Sequence, residues 1–256
     1  MKEYPTNVTN SQWQYIENVL NYKRKRKVSL RVVWNGIMYL VRTGCQWRML
    51  PKEFGCWNTV YYYYRKWKDT GVIEQIHELL RDLVRKAMGR KESPSAACID
   101  SQSVKMSRQP GEKGVDGGKK IKGRKRHIIT DTLGLLLVVV VHAANTHDSQ
   151  SAHGVIEMLR GRFARLKVIF ADGGYRGELI DSIKNTFGWI LSIVLRSDSS
   201  KGFVVLPKRW IVERTFSWFE GFRRLSKDYE SKTCTSETMV QLAMIQIMMN
   251  RVKNKI

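Results

Sequence analysis

Three acidic side chains stand where phosphoryl chemistry could be done. Asp100 closes the apolar run Ala96-Ala-Cys-Ile-Asp100, Asp172 closes Leu166-Lys-Val-Ile-Phe-Ala-Asp172, and Glu213 lies inside the amphipathic stretch Lys208 to Phe219. Small or polar residues follow each aspartate, and in an α/β sheet the carboxyl ends of strands are where sites form. Two carboxylates brought together there repel unless a cation sits between them. Mg2+ suits them, because it binds through one or two carboxylates plus water and phosphate oxygens; Mn2+ is the alternative. With Glu213 added, the set is enough for a two-metal clamp on an in-line phosphoryl transfer, one metal activating a water or 3′-hydroxyl and the other stabilising the departing oxygen. Asp131 and Asp148 are the competing carboxylates. The first falls in a hairpin turn, and the second fits a helix N-cap or a supporting position. His142, His147 and His153 fall on a strand, a loop and a helix, which disfavours a histidine metal site.

The charge of the chain names a class of partner. Its 256 residues carry 45 Lys and Arg against 23 Asp and Glu, a formal charge of +22, with an isoelectric point near 10.0. Such an excess repels itself in a compact fold unless a polyanion is the partner, and for a soluble chain that partner is nucleic acid. No basic amphipathic tail supports a membrane surface instead. No apolar run approaches the ~20 residues that span a bilayer. Four scattered cysteines without a CxxC pair argue against a zinc ribbon, and with no signal peptide they read as reduced thiols in a cytosol.

Several groups of side chains could meet a DNA backbone. Lys23, Arg24, Lys25, Arg26 and Lys27 form an unbroken cationic run. Lys119, Lys120, Lys122, Arg124, Lys125 and Arg126 place six cations within eight residues, interleaved with glycine, and this segment could track DNA into the site. Arg65, Lys66 and Lys68 lie on a basic and aromatic helix. Lys105, Arg209, Arg214, Arg223, Arg224 and Lys227 flank the acidic residues in sequence, and Tyr175, next to the Gly173-Gly174 turn, could stack on a flanking nucleotide. Trp210 and Trp218 read as core.

The elements that would position these residues are set by hydrophobic period. Residues 1–88 read as helical. A helix capped by Ser11 carries Trp13, Ile16 and Leu20; a second, capped by Ser29, runs Leu30 to Thr43 and stops at Gly44; a third opens at Asn58 or Thr59; a fourth runs from about Ile73 to Met88. The second and third, joined by a turn, fit a helix-turn-helix-like module. Residues 89–95 have linker composition. After them the period changes. Strand Ala96–Asp100, a polar glycine-rich loop over Arg108 to Gly123, and a hairpin of Lys125–Asp131 with Leu135–His142 come first. A helix, strand Leu166–Asp172, helix Glu178–Phe187, strand Trp189–Leu195, the Glu213 helix and a last helix from about Ser236 to Val252 complete residues 96–256. On the Glu213 helix, Ile211, Thr215, Trp218, Phe222 and Leu225 share a buried face, with Glu213 held off it. This is an α/β order with a mixed sheet.

Four segments together resemble the DDE transposases of bacterial insertion sequences, nearest insertion sequence family five in the wider group that includes family four. They are Cys98-Ile-Asp-Ser-Gln-Ser-Val-Lys105, Gly117-Gly-Lys-Lys-Ile-Lys-Gly-Arg-Lys-Arg-His127, Ala171-Asp-Gly-Gly-Tyr-Arg-Gly177 and Trp210-Ile-Val-Glu-Arg-Thr-Phe-Ser-Trp218. Thr43-Gly-Cys-Gln-Trp-Arg-Met-Leu-Pro51 and Phe54-Gly-Cys-Trp-Asn-Thr-Val-Tyr61 resemble the DNA-binding portion of that family. The resemblance implies an RNase H-like catalytic domain, a divalent metal, recognition of terminal inverted repeats in double-stranded DNA, and cut-and-paste strand transfer into target DNA by a homodimer in the bacterial cytoplasm, on the nucleoid. It assigns Asp100, Asp172 and Glu213 as the catalytic, metal-binding triad and Arg209 as the arginine four before the glutamate. The chain departs from the fuller signature at Leu206, where a tyrosine is expected, and at Glu220, where a lysine is expected; Lys227, Arg223 and Arg224 are the candidates to replace that lysine on DNA. A nuclease that cuts without joining, and a DNA-binding protein whose acidic site is vestigial, are the rival readings.

Overall fold

A computed structural model describes residues 3–20, 28–195 and 208–252, with the side chain of Arg209 outside the description. The run Lys23 to Lys27 lies outside the described residues. Contacts divide the chain into two units: one gathers the chain up to Met88, Phe219–Ser226 and the chain from Thr238 on, and the other holds Gly89–Trp218 and Lys227–Glu237. The last helix was expected to close the second domain, yet most of it groups with the first.

The first unit is built of helices. Helix α1 (Asn10–Leu20) starts two residues earlier than a Ser11 cap suggested. Thr9 caps it, its hydroxyl accepting from Gln12 N at 3.3 Å while Gln12 Oε1 accepts from Thr9 N at 2.9 Å. That reciprocal pair satisfies two donors that a helix start leaves open. Helix α2 (Leu30–Thr43) ends at Gly44, whose φ of 71° is a left-handed cap. Trp34 of α2 packs on Trp67 of α3 (Trp57–Asp69), ring centres 5.8 Å apart. The chain between them, through Trp47–Met49 and Lys52–Phe54 as short 3-10 turns, is much longer than a helix-turn-helix turn. The short turn lies at Thr70–Gly71, before α4 (Val72–Ala87).

The second unit carries the sheet. Its strands are β1 (Ala96–Lys105), β2 (Gly114–Asp116), β3 (Ile121–Asp131), β4 (Leu136–Ala143), β5 (Val168–Ala171) and β6 (Ile190–Ile193). β4, β3 and β1 pair antiparallel, then β1, β5 and β6 pair parallel, while β2 adds to the start of β3. Helices α5 (Asp148–Glu157) and α6 (Leu179–Phe187) supply Ala152, Val155, Ile156 and Ile183 to a core with Ala97, Ile99, Ile129, Ile169 and Ala171. Alternation along each strand turns Cys98 and Phe170 to the other face, where α7 (Arg209–Glu220) begins. Backbone amides of β4 are stoppered by carboxylates: Val141 N donates to Glu237 at 2.9 Å and Ala143 N to Glu112 at 3.1 Å, which blunts an edge that could pair with another chain.

Three expectations change here. β1 does not stop at Asp100 but continues to Lys105, because its antiparallel ladder with β3 runs on through Lys105 and Gly123. The stretch expected to be a loop holds β2 and the start of β3. α7 ends at Glu220, and Arg223–Leu225 forms a separate 3-10 turn, so Phe222 and Leu225 are buried without belonging to the helix.

Candidate active site and nucleic-acid interface

The parallel ladder of β1 and β5 pairs Ala96 with Val168, Ala97 with Ile169 and Cys98 with Phe170. The ladder ends there, and Asp100 and Asp172 each follow that last pair by two residues, Asp100 within β1 and Asp172 just past β5. Both side chains share the face of Cys98 and Phe170 by the period of two. Asp172 remains extended, at φ −84° and ψ −179°, and one carboxylate oxygen accepts from Gly174 N at 2.8 Å. A Cβ on Gly174 would lie 3.1 Å from that oxygen, so a side chain there would press on the carboxylate. Asp100 accepts from Ser101 N at 2.7 Å. The site lies where β5 ends and β1 runs on beside β3.

Glu213 is on the same side of the sheet but is not gathered with this pair. Lys208, just before α7, accepts from Cys98 Sγ at 3.3 Å through its carbonyl, and its ammonium lies 4.4 Å from the Phe170 ring centre. Further on, Thr215 Oγ1 donates to Gly134 O at 2.9 Å and Arg214 donates to Leu133 O at 3.2 Å. These anchors lead α7 from the level of Cys98 toward the β3–β4 turn, away from Asp100. Gly134 permits the approach: its φ is 81°, and a Cβ would fall 2.8 Å from Thr215 Oγ1 and from the Trp218 ring. Glu213 is exposed on this helix. Among the described residues, no three His, Cys, Asp or Glu side chains are gathered closely enough to hold a metal ion. The Asp100–Asp172 pair by itself fits the way Mg2+ binds, through one or two carboxylates with water and phosphate oxygens supplying the rest.

The expected DNA contacts divide sharply. Lys105, Lys119, Lys120 and Lys122 are exposed at the far end of β1 and β3, although Lys119 Nζ also reaches Ser101 O at 3.4 Å. Arg124, Lys125 and Arg126 are buried, which corrects their assignment to DNA. Arg124 donates to the carbonyls of Glu112, Glu230 and Ser231 at 2.7–2.8 Å and pairs with Asp228 at 3.3 Å. Lys125 pairs with Asp148 at 2.8 Å, and Arg126 donates to Lys227 O at 3.4 Å. Burial lowers the Arg126 guanidinium to about 10, against the opposing pull of Asp228. Tyr175 is also buried, at 1% exposure, and so is no platform for a nucleotide. Trp210 departs in the opposite direction: it is 41% exposed rather than core, with Arg214 between it and Trp218 at 4.3 and 4.8 Å from the ring centres. Arg214 is thereby committed to two rings and a carbonyl. Arg65, Arg223 and Lys227 are exposed; Lys66 and Lys68 are half-buried, Lys68 pairing with Asp69 at 2.6 Å. Arg224 is buried, its guanidinium donating to Cys45 O at 3.4 Å. The tyrosine run of α3 mostly packs inward, with Tyr64 buried and Trp47 against both Tyr61 and Tyr64, leaving Tyr62 at the surface.

Residues 91–248 match the family model described as "Transposase DDE domain", and residues 8–77 match a model for candidate transposases of the IS4/5 family. The chain belongs to the DDE transposase family. A candidate transposase for insertion sequence element IS402 of Burkholderia cepacia is 29% identical over 138 residues, 51% of this chain and 65% of that protein. A 16.2 kDa protein of the same element, uncharacterised, is 34% identical over 103 residues, 36% of this chain and 69% of that protein. Among solved structures, a piggyBac transposase synaptic complex with hairpin DNA is similar at 10% identity and a TM-score of 0.44, over 100% of this chain and 69% of that one. Among the described residues, no helix is long and apolar enough to cross a membrane.

Sequence reasoning missed a polar network behind the two aspartates. Tyr175 Oη meets His127 Nε2 at 2.8 Å, and His127 Nδ1 meets Ser151 Oγ at 3.1 Å. Ser101 Oγ donates to Asp148 at 2.7 Å. Burial lowers the His127 imidazole to about 3, more than Asp148 raises it, so the ring is neutral at ordinary pH. Burial also raises the Tyr175 phenol well above its usual range, with the charges of Asp100, Asp148 and Asp172 adding to the shift. The available signal was the pattern of polar residues in strands: Ser101 and His127 face one another across the β1–β3 ladder.

Proposed function

We propose that this chain is the transposase of an insertion sequence, binding the element's terminal inverted repeats and carrying out metal-dependent cleavage and strand transfer by cut-and-paste. The observation that supports the reading is the parallel β1–β5 ladder, whose last pair, Cys98 with Phe170, is followed two residues later on each chain segment by Asp100 and Asp172, within the residues that match the DDE domain. In this proposal Asp100 and Asp172 hold the divalent cation, Mg2+ or Mn2+, and Glu213 is the third carboxylate. A cation held there would lower the pKa of an attacking water or 3′-hydroxyl and stabilise the departing oxygen. The exposed lysines Lys105, Lys119, Lys120 and Lys122 take phosphates at the end of the sheet toward which the aspartates lie, and the helical unit supplies further DNA contact. Two copies pairing two element ends, acting in the bacterial cytoplasm on the nucleoid, complete the reading. The mixed sheet, antiparallel through β4, β3 and β1 and then parallel through β5 and β6, supports an RNase H-like domain.

Oligonucleotides carrying the ends of the encoding element, incubated with the protein and Mg2+, test this. Joined products are expected from the unaltered chain. Asp100→Ala, Asp172→Ala and Glu213→Ala are each expected to abolish them while leaving a gel shift intact. Full activity in any one variant removes that residue from the triad. Cleavage without joining favours a nuclease, and a gel shift with no chemistry favours a DNA-binding protein.

A further inference from the structure

The last pair of the β1–β5 ladder is Cys98 with Phe170, so Asp172 lies beyond the strand pairing that would hold it to Asp100. The chain leaves Asp172 in one tight turn. Tyr175 N donates to Asp172 O at 3.2 Å, and Asp172 itself caps Gly174. The turn is tied down from its far end, where Tyr175 enters the core beside Ile129, Ile169 and Ala171. Packing alone would be met there by phenylalanine, and a buried hydroxyl costs stability unless it is bonded. Its partners are His127, fully buried on β3, directly across the ladder from Ser101 and bonded in turn to Ser151 on α5, and the Ser101 side chain itself. Ser101 follows Asp100 and is held to Asp148, which Lys125 neutralises. The turn bearing Asp172 and the strand bearing Asp100 are thus referred to the same rigid point.

We propose that Tyr175 and His127 form a latch that positions Asp172 beside Asp100, so that the affinity of the aspartate pair for a divalent cation depends on a hydrogen bond neither ligand makes. Tyr175 and His127 are positioning residues in this proposal, which rests on the reading of the pair as a metal site. Outer partners of this kind are worth about 10–100-fold in metal affinity where they orient a ligand.

Mn2+ binding to the full chain without DNA, followed by electron paramagnetic resonance of the free ion, reads the latch directly. Tyr175→Phe keeps the ring and is expected to weaken Mn2+ binding by about tenfold, at a temperature where circular dichroism shows it folded. His127→Leu is expected to do the same, and His127→Gln, which offers the phenol a polar partner, to recover part of the loss. Should Tyr175→Phe fail to fold, the two His127 variants decide in the same way. Unchanged affinity in the folded variants, or equal loss in His127→Gln and His127→Leu, overturns the latch. Mn2+ binding that is lost in Asp100→Asn but accompanied by no DNA cleavage would sink the proposed function while leaving the latch standing. If the unaltered chain binds no Mn2+, both fall.

Discussion

The basic segment from Lys119 to Arg126 has two halves of like composition and opposite fate. Lys119, Lys120 and Lys122 are exposed, whereas Arg124, Lys125 and Arg126 are buried. The division falls at Gly123, where β3 acquires strands on both edges: Arg124 pairs with Val104 on one side and Ala143 on the other. Once a strand is flanked on both edges and covered on both faces, a cation on it must find internal acceptors or be excluded from the fold. Arg124 finds three carbonyls and Asp228, Lys125 finds two carboxylates, and Arg126 finds a carbonyl. The lysines before Gly123 keep their charge in water, where it can meet phosphate. A cationic run therefore says nothing about DNA until its pairing partners are known.

The sharpest way to break this comparison is at Arg124. It and Asp228 are both fully buried, and removing one partner of such a pair strands the other charge. Arg124→Ala is expected to destabilise the fold by about 3–5 kcal/mol, with three carbonyl acceptors also left open. Thermal or urea unfolding measures the loss. DNA affinity, compared at a temperature where both proteins are folded, should change little. A large loss of affinity in a stable Arg124→Ala protein would return that residue to the DNA interface.

The exposed half should behave in reverse. Replacing Lys119, Lys120 and Lys122 together by alanine is expected to lower the salt slope of DNA binding by about 0.9 for each phosphate that is no longer neutralised. Stability should move by no more than about 0.5 kcal/mol per site. Titrations at several salt concentrations read the slope, and an unchanged slope means that these lysines do not touch phosphate.

The same contrast explains what could be read from the sequence. Period and punctuation were enough for α2, whose Ser29 start and Gly44 stop are both local signals. They also located Asp172 just past a strand end, because β5 is a short apolar run with its carboxylate next in line. Ladders that join distant segments left no such mark. Nothing near Asp100 foretells that β1 runs on to Lys105, since the partner that extends it lies on β3. Tyr175 follows two glycines, a local sign of exposure, yet its hydroxyl is held by a histidine 48 residues away in sequence. Trp210 misled in the other direction, because helical spacing alone cannot tell which stripe of α7 meets the sheet. The last helix erred by neighbourhood, following the sheet in sequence but joining the helical unit.

Lys125 is the intermediate case and the smallest expected effect. It belongs to the buried half, but its partner Asp148 keeps 27% of its side chain exposed. Burial pushes the Asp148 carboxyl up, yet its bonds to Lys125 and Ser101 outweigh that and hold it below its usual range. A carboxylate lowered in the folded state contributes stability that is complete above its unfolded value and is lost as pH falls through the folded one. In the unaltered chain this loss belongs to strongly acid conditions, below the ordinary carboxylate range. Lys125→Met removes the larger of the two bonds that oppose burial, so the Asp148 carboxyl rises and the stability that its lowered value contributes near neutrality shrinks. Unfolding midpoints measured from pH 3 to pH 7 should therefore diverge, with Lys125→Met closest to the unaltered chain at the acid end and furthest below it near neutrality. His127 is common to both proteins and, being held neutral by burial, destabilises both as pH falls from about 6.5 toward about 3. Because Lys125 and Asp148 also act on His127, the difference between the two curves reads these three groups together. A constant difference across the range would mean that Lys125 acts through packing of its stem, and that its charge is as free as those of the lysines before Gly123.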